Sequence, residues 1–221
     1  TEVARILQRS VAGRMDARGR PIPLVAETGG QNAMIVDSSA LVEQVVGDAV
    51  ASAFDSAGQR CSALRVLCVQ AEAADRVVQM LQGAMGELRM GNPGALQVDV
   101  GPVIDAEAQS RITAHIEALK ANGHRVFQQC RSDSHEAAQG TFVLPTLIEL
   151  NHIGELQREV FGPVLHLVRY ARNDLDQLLD QINATGYGLT LGVHTRIDET
   201  IDRVVSRAHA GNVYVNRNMV G

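Results

Sequence analysis

The sequence predicts an α/β fold: a mostly parallel sheet flanked by helices on both faces. Two observations predict it. Short apolar runs suited to strands alternate with longer segments of helical periodicity along the whole chain. The strand candidates are near-continuous in apolar residues rather than alternating, as strands buried on both faces are.

Taken in order, Thr1 to Gly13 reads as a helix, with Val3, Ile6, Leu7 and Val11 on one stripe. Pro23 to Ala26 is a short apolar run ending at Glu27-Thr28-Gly29-Gly30. Ala33-Met34-Ile35-Val36 is a buried strand, and Asp37-Ser38-Ser39 after it is suited to cap the next helix. That helix runs from Ala40 to Ser56, and Gly58 stops it. Gln59-Arg60-Cys61-Ser62 follows, then the strand Leu64 to Val69. Ala73 to Leu88 is a helix closed by the turn Gly91-Asn92-Pro93-Gly94. Ala106 to Asn122 is a helix that ends at Gly123. Arg125 to Gln129, Phe142 to Leu150 and Pro163 to Tyr170 are strands, and the polar stretch from Arg131 to Gln139 is a surface loop. Leu175 to Ala184 is a helix, Leu189 to Thr195 a strand, Glu199 to Ala208 a helix and Val213 to Asn216 a strand.

The chain has 221 residues and is 45% hydrophobic, enough for one well-formed domain with part of another. It opens inside a helix without a cap and ends just past a strand, so a piece of a larger protein is expected. Net charge is −5 and the pI about 5.8. No broad basic patch is implied, which argues against nucleic acid as a partner. No apolar run approaches the roughly 20 residues that span a bilayer, and Arg5, Arg9, Arg14 and Arg18 interrupt any signal peptide. Cys61, Cys68 and Cys130 are an odd, low set, which suggests free thiols in a reducing, cytoplasmic compartment. The seven histidines show no HExxH pattern and the cysteines no CxxC pattern, so no metal site is expected.

Cys61 sits where a long helix breaks and a buried strand begins. That exposes a side chain at the end of a parallel sheet, where α/β proteins bind ligands. Gly58 allows a sharp bend, and Arg60 offers positive charge that favours a thiolate. A thiolate attacks an aldehyde carbon and can carry the acyl group as a thioester. The alternative is a buried structural cysteine, and composition alone favours that alternative. Glu27 ends an apolar run and precedes two glycines. Partial burial would raise its pKa toward neutrality and suit it to general-base work; taken alone, a strand-end surface glutamate fits as well. In an extended segment Glu159 and Phe161 face the same side. An acid there can accept ribose hydroxyls and a ring can line a nicotinamide pocket, unless they are a solvated acid and a core aromatic.

Three motifs stand in order: E-T-G-G at Glu27 to Gly30, G-Q-R-C at Gly58 to Cys61, and E-V-F-G-P at Glu159 to Pro163. Together they resemble the aldehyde dehydrogenase superfamily across essentially the whole chain. The runs from Ala26 to Leu41 and from Ser52 to Leu67, with N-V-Y-V-N-R-N at Asn212 to Asn218, are most similar to Δ1-pyrroline-5-carboxylate (L-glutamate γ-semialdehyde) dehydrogenase, as in the C-terminal part of bacterial proline utilisation A, a bifunctional family.

The resemblance implies a Rossmann-like cofactor domain, a catalytic domain and an oligomerisation arm. Residues 1–26 then resemble the tail of the NAD-binding domain, 27–216 the catalytic domain and 217–221 the start of a further segment. It implies Cys61 as nucleophile, Glu27 as the base that activates the hydrolytic water, Glu159 and Phe161 as ribose and nicotinamide contacts, and Ser62 near the substrate's carboxylate. The cofactor implied is NAD, with FAD confined to a proline dehydrogenase domain outside this chain. The partners implied are a small aldehyde and, in the full-length bacterial protein, other copies of itself. The lysine that binds the adenosine ribose and the asparagine that completes the oxyanion hole have no counterpart here. Two other readings compete: a dehydrogenase acting on another aldehyde, and a chain that is inert alone and serves only as a folded catalytic or oligomerisation domain.

Overall fold

A computed structural model shows the predicted architecture, a seven-stranded sheet between two layers of helices. The structure describes residues 2–132 and 140–220. The helices are α1 (Glu2–Ala12), α2 (Val42–Phe54), α3 (Ala71–Glu87), α4 (Ala106–Ala121), α5 (Leu175–Ala184) and α6 (Asp198–Arg207). The strands are β1 (Asn32–Val36), β2 (Leu64–Gln70), β3 (Arg89–Met90), β4 (Val126–Gln128), β5 (Arg131–Ser132), β6 (Thr146–Leu150), β7 (Val164–Tyr170), β8 (Thr190–His194) and β9 (Asn212–Val215). The main sheet runs β4-β6-β7-β2-β1-β8-β9, and every neighbouring pair is parallel except β4 with β6.

Side chains of β1 alternate between two cores. Met34 and Val36 pack with α2 and α3 through Val45, Ala49, Val77 and Leu81. Ala33 and Ile35 pack with α4, α5 and α6 through Ile112, Leu179 and Val204. β1 and β2 are buried along their whole length. A fully buried aliphatic side chain stabilises by roughly 1.5–3 kcal/mol, so these central strands anchor everything that hangs from their ends.

Several boundaries differ from those expected. Two strands begin later, at Thr146 and Val164, because the preceding Pro145 and Pro163 have no N–H to give to a ladder. Asp37 and Ser39 do not cap α2, whose N-cap is Leu41 without a side-chain bond. The Asp37 carboxylate instead accepts from the Ser39 N–H at 2.8 Å and from the Thr195 hydroxyl, tying the ends of β1 and β8 together. Gly58 does not stop α2, which has already ended at Phe54. Arg131–Ser132, expected in a loop, pairs in parallel with Arg89–Met90; the rest of that expected loop, 133–139, lies outside the described residues. The apolar stripe of α1, Val3, Ile6 and Leu7, is exposed. Among the described residues no helix is long and apolar enough to cross a membrane, and no three His, Cys, Asp or Glu side chains are grouped to hold a metal.

Candidate active site

Each motif singled out above immediately precedes a strand: Glu27 to Gly30 before β1, Gly58 to Cys61 before β2, and Glu159 to Pro163 before β7. These three strands are neighbours and parallel, so the motifs meet at one edge of the sheet. That edge is the amino end. The expectation that Cys61 occupies the ligand-binding end usual for α/β sheets is therefore corrected, since that rule refers to carboxyl ends.

The turn before Cys61 is unusual backbone. Ser56, Ala57 and Gly58 all have positive φ, at 55°, 54° and 64°. Glycine is required at the third of these: a β-carbon on Gly58 would overlap the Gly162 carbonyl and sit 2.8 Å from the Ala53 oxygen. The Cys61 loop thus lies directly against the Glu159–Pro163 segment.

Arg65 joins the two. It is 1% exposed and is the second residue of the otherwise mostly apolar β2. The pairing of β1 with β2 moves from Asn32↔Leu64 to Ala33↔Val66, so Arg65 is the extra residue of a β-bulge. Bulges re-aim side chains, and this one turns a guanidinium toward the site. Its Nη1 donates to the Gly58 carbonyl at 2.6 Å and to the Gly162 carbonyl at 3.2 Å. Its Nη2 donates to the Arg60 carbonyl at 3.1 Å and to Glu159 Oε1 at 3.0 Å, and Nε reaches the same carboxylate oxygen at 3.2 Å. Burial pulls the guanidinium below its ordinary pKa, while the charge and hydrogen bonds of Glu159, and then the charge of Cys61, pull it back up. The Phe161 ring lies with its centroid 5.1 Å from Arg65 Cζ. Glu159 and Phe161 therefore both meet Arg65, in keeping with the expectation that they share a side.

A second buried side chain grips the loop from below. Asn32 Nδ2 donates to the carbonyls of Cys61 at 2.7 Å and Ala63 at 2.9 Å, and Asn32 Oδ1 accepts from the Thr190 N–H at 3.3 Å. On the far side of Arg65, its carbonyl lies 3.0 Å from His166 Nδ1. A carbonyl only accepts, so Nδ1 carries the proton and Nε2 accepts from His115 Nε2, 2.9 Å away.

Of the expected site residues, Cys61 is exposed and Ser62 half-buried. Cys68 is fully buried, its thiol pushed up to about 12 by desolvation; Cys130 is raised by the same cause. Glu27 is exposed, so the partial burial invoked to tune it is not present in this chain. The Arg60 side chain turns to Ser56, donating from Nε to Oγ at 3.1 Å. Arg65 and Asn32 escaped the sequence reading. A lone arginine inside L-R-V-L-C-V was the available signal, since a charge in a two-faced buried strand needs partners.

The sequence profile described as the aldehyde dehydrogenase family matches residues 1–221. The chain is 67% identical over 224 residues to the bifunctional protein PutA of Escherichia coli (strain K12), covering all of this chain and 17% of that protein. It is 34% identical over 200 residues to the 1-pyrroline-5-carboxylate dehydrogenase of Bacillus pumilus (strain SAFR-032), covering 90% of this chain and 38% of that one. A crystal structure of a bifunctional proline utilization A protein superimposes with a TM-score of 0.91 at 50% identity, over 99% of this chain and 21% of the other. The chain thus spans about a fifth of the bifunctional relatives it matches. With fold, motif order and profile in agreement over the whole length, the chain belongs to the aldehyde dehydrogenase family.

Proposed function

We propose that this chain forms the catalytic part of an NAD-dependent L-glutamate γ-semialdehyde dehydrogenase of proline catabolism, acting through a thioester on Cys61. The observation that carries the reading is the bonded unit around an exposed thiol: Gly58 against Gly162, and Arg65 bridging the Cys61 loop to Glu159. The relatives' names, proline utilization and 1-pyrroline-5-carboxylate dehydrogenase, support the substrate.

The residues present fit the ribose and nicotinamide end of the dinucleotide. Arg65 occupies Glu159 Oε1, leaving Oε2 over the α-carbon of Gly29, and the Phe161 ring is 43% exposed. Glu159 would accept from ribose hydroxyls and Phe161 would pack against the nicotinamide. When bound, the cofactor accepts the two electrons lost by the aldehyde carbon. The chain's own residues do the rest. The Cys61 sulfur bonds to the carbonyl carbon, and the oxygen that gains charge lies at the Cys61 N–H. After oxidation the acyl group is held on sulfur. Glu27 takes a proton from water, whose oxygen attacks the thioester; carboxylate leaves and the thiol is restored. Ser62 is assigned to the substrate carboxylate. Residues 1–26, with the exposed stripe of α1, are assigned to the cofactor domain, 27–216 to the catalytic domain and 217–221 to the segment after it.

The test uses the full-length protein. Given L-glutamate γ-semialdehyde and NAD, it should yield NADH and glutamate. Cys61→Ala should yield neither while still binding NAD, and turnover within a few-fold of wild type in that variant would refute the assignment.

A further inference from the structure

We propose that Arg65 is a positioning residue that aims the Cys61 peptide N–H and fixes Glu159 in one arrangement, coupling the nucleophile to the cofactor side of the site. The inference rests on the reading of Cys61 as the nucleophile. A trans peptide is planar, so the N–H of one residue points opposite to the carbonyl of the residue before it. Arg65 Nη2, together with the Ala63 N–H, draws the Arg60 carbonyl inward, each at 3.1 Å, which turns the Cys61 N–H away from the core. Asn32 draws the Cys61 carbonyl inward at 2.7 Å, which turns the Ser62 N–H the same way. Among the described residues neither N–H meets an acceptor in the protein. Two backbone donors beside an exposed thiol are what a developing oxyanion requires.

The bulge gives Arg65 this reach. Its fork makes five hydrogen bonds to three carbonyls and one carboxylate oxygen, a set that the single ammonium of lysine cannot copy. Because the same guanidinium holds Glu159 Oε1, displacement of the acid and loss of aim at Cys61 go together.

Two reagents on the full-length protein separate aim from charge. Iodoacetamide alkylates a thiolate and needs no oxyanion donor. p-Nitrophenyl acetate acylates the same sulfur through a tetrahedral oxyanion, releasing p-nitrophenolate, and needs no NAD. In Arg65→Lys, acylation should fall about thirtyfold or more, part of the roughly 10²–10³ that loss of a whole oxyanion donor costs. Alkylation should stay within about threefold, because a cation remains nearby, and the KM for NAD should rise. Equal falls in both rates, or wild-type rates in both, overturn the proposal. Cys68 remaining unlabelled in the same sample reports that the domain is folded. If Arg65→Lys exposes Cys68, Arg65→Gln carries the test: a fall of about thirtyfold in the ratio of acylation to alkylation supports the proposal, and a wild-type ratio overturns it. Failure of the underlying reading shows separately, as an acetyl group that mass spectrometry finds elsewhere than on wild-type Cys61.

Discussion

The carboxylate of Glu159 rests on the α-carbon of Gly29, so close that a β-carbon there would overlap Oε2 and lie 2.8 Å from Cδ. Gly29→Ala must therefore push the acid out of place. In the full-length protein the KM for NAD should rise roughly tenfold, equivalent to about 1.4 kcal/mol of binding, with kcat changed much less. Steady-state kinetics with NAD varied would check this, and an unchanged KM would remove Glu159 from the cofactor site.

The three thiols should react in a set order. At pH 8 a thiol raised to about 12, as Cys68 is by burial, has a thiolate fraction of about 10⁻⁴. Cys130 is raised in the same direction, whereas Cys61 is exposed. Mild alkylation of the folded protein, followed by peptide mapping, should find Cys61 modified first. Earlier labelling of Cys68 or Cys130 counts against Cys61 as the accessible nucleophile.

Glu27 should matter after the thioester has formed, not before. In full-length Glu27→Gln, rapid mixing should show a burst of NADH close to one per site, then turnover slower by about 10²–10⁴-fold. Intact mass should show the acyl-enzyme. No acyl-enzyme at all, or wild-type turnover, would contradict the deacylating role.

How far these residues were legible follows from what each reports locally. Apolar runs such as Met34 to Val36 declare themselves, because burial on two faces leaves no polar position to confuse the pattern. Asp37 and Ser39 looked like a cap because that role is local, yet beyond the bond between them they reach Thr195 and Arg196 on the neighbouring strand's end. Arg65 and Asn32 were hidden for the same reason. Their partners lie at positions 58 to 63, 159, 162 and 190, and only the parallel register of β1, β2, β7 and β8 assembles them. Which end of the strands held the motifs was readable from their order, since each stands just before its strand.

Acid should loosen β7 through His166. Burial first, then the charges of His115 and Arg65, pull its ring down to about 3, against the pull of the Arg65 carbonyl; burial and Arg158 also lower His115. The unfolded chain binds a proton near pH 6.5 and the folded one does not until about 3. Unfolded chains therefore hold more protons in that window, and stability falls as pH drops through it. The loss for this one group is on the order of 2 kcal/mol between pH 7 and 5. Hydrogen exchange of β7 amides, compared between wild type and His166→Gln at matched pH, should show the wild type losing more protection on acidification. Identical losses would place the proton uptake elsewhere.

The turns at the opposite ends of the strands, after Val36, Tyr170 and His194, are separated from the thiol by a whole strand, about 16–23 Å at 3.3 Å per residue. Loop grafts and insertions made there would restyle the surface without disturbing the carbonyls that Arg65 and Asn32 hold. One residue inserted between Gly58 and Cys61 would instead reshape the loop whose carbonyls those two side chains hold, so protein engineering has free ground on one rim of this domain and almost none on the other.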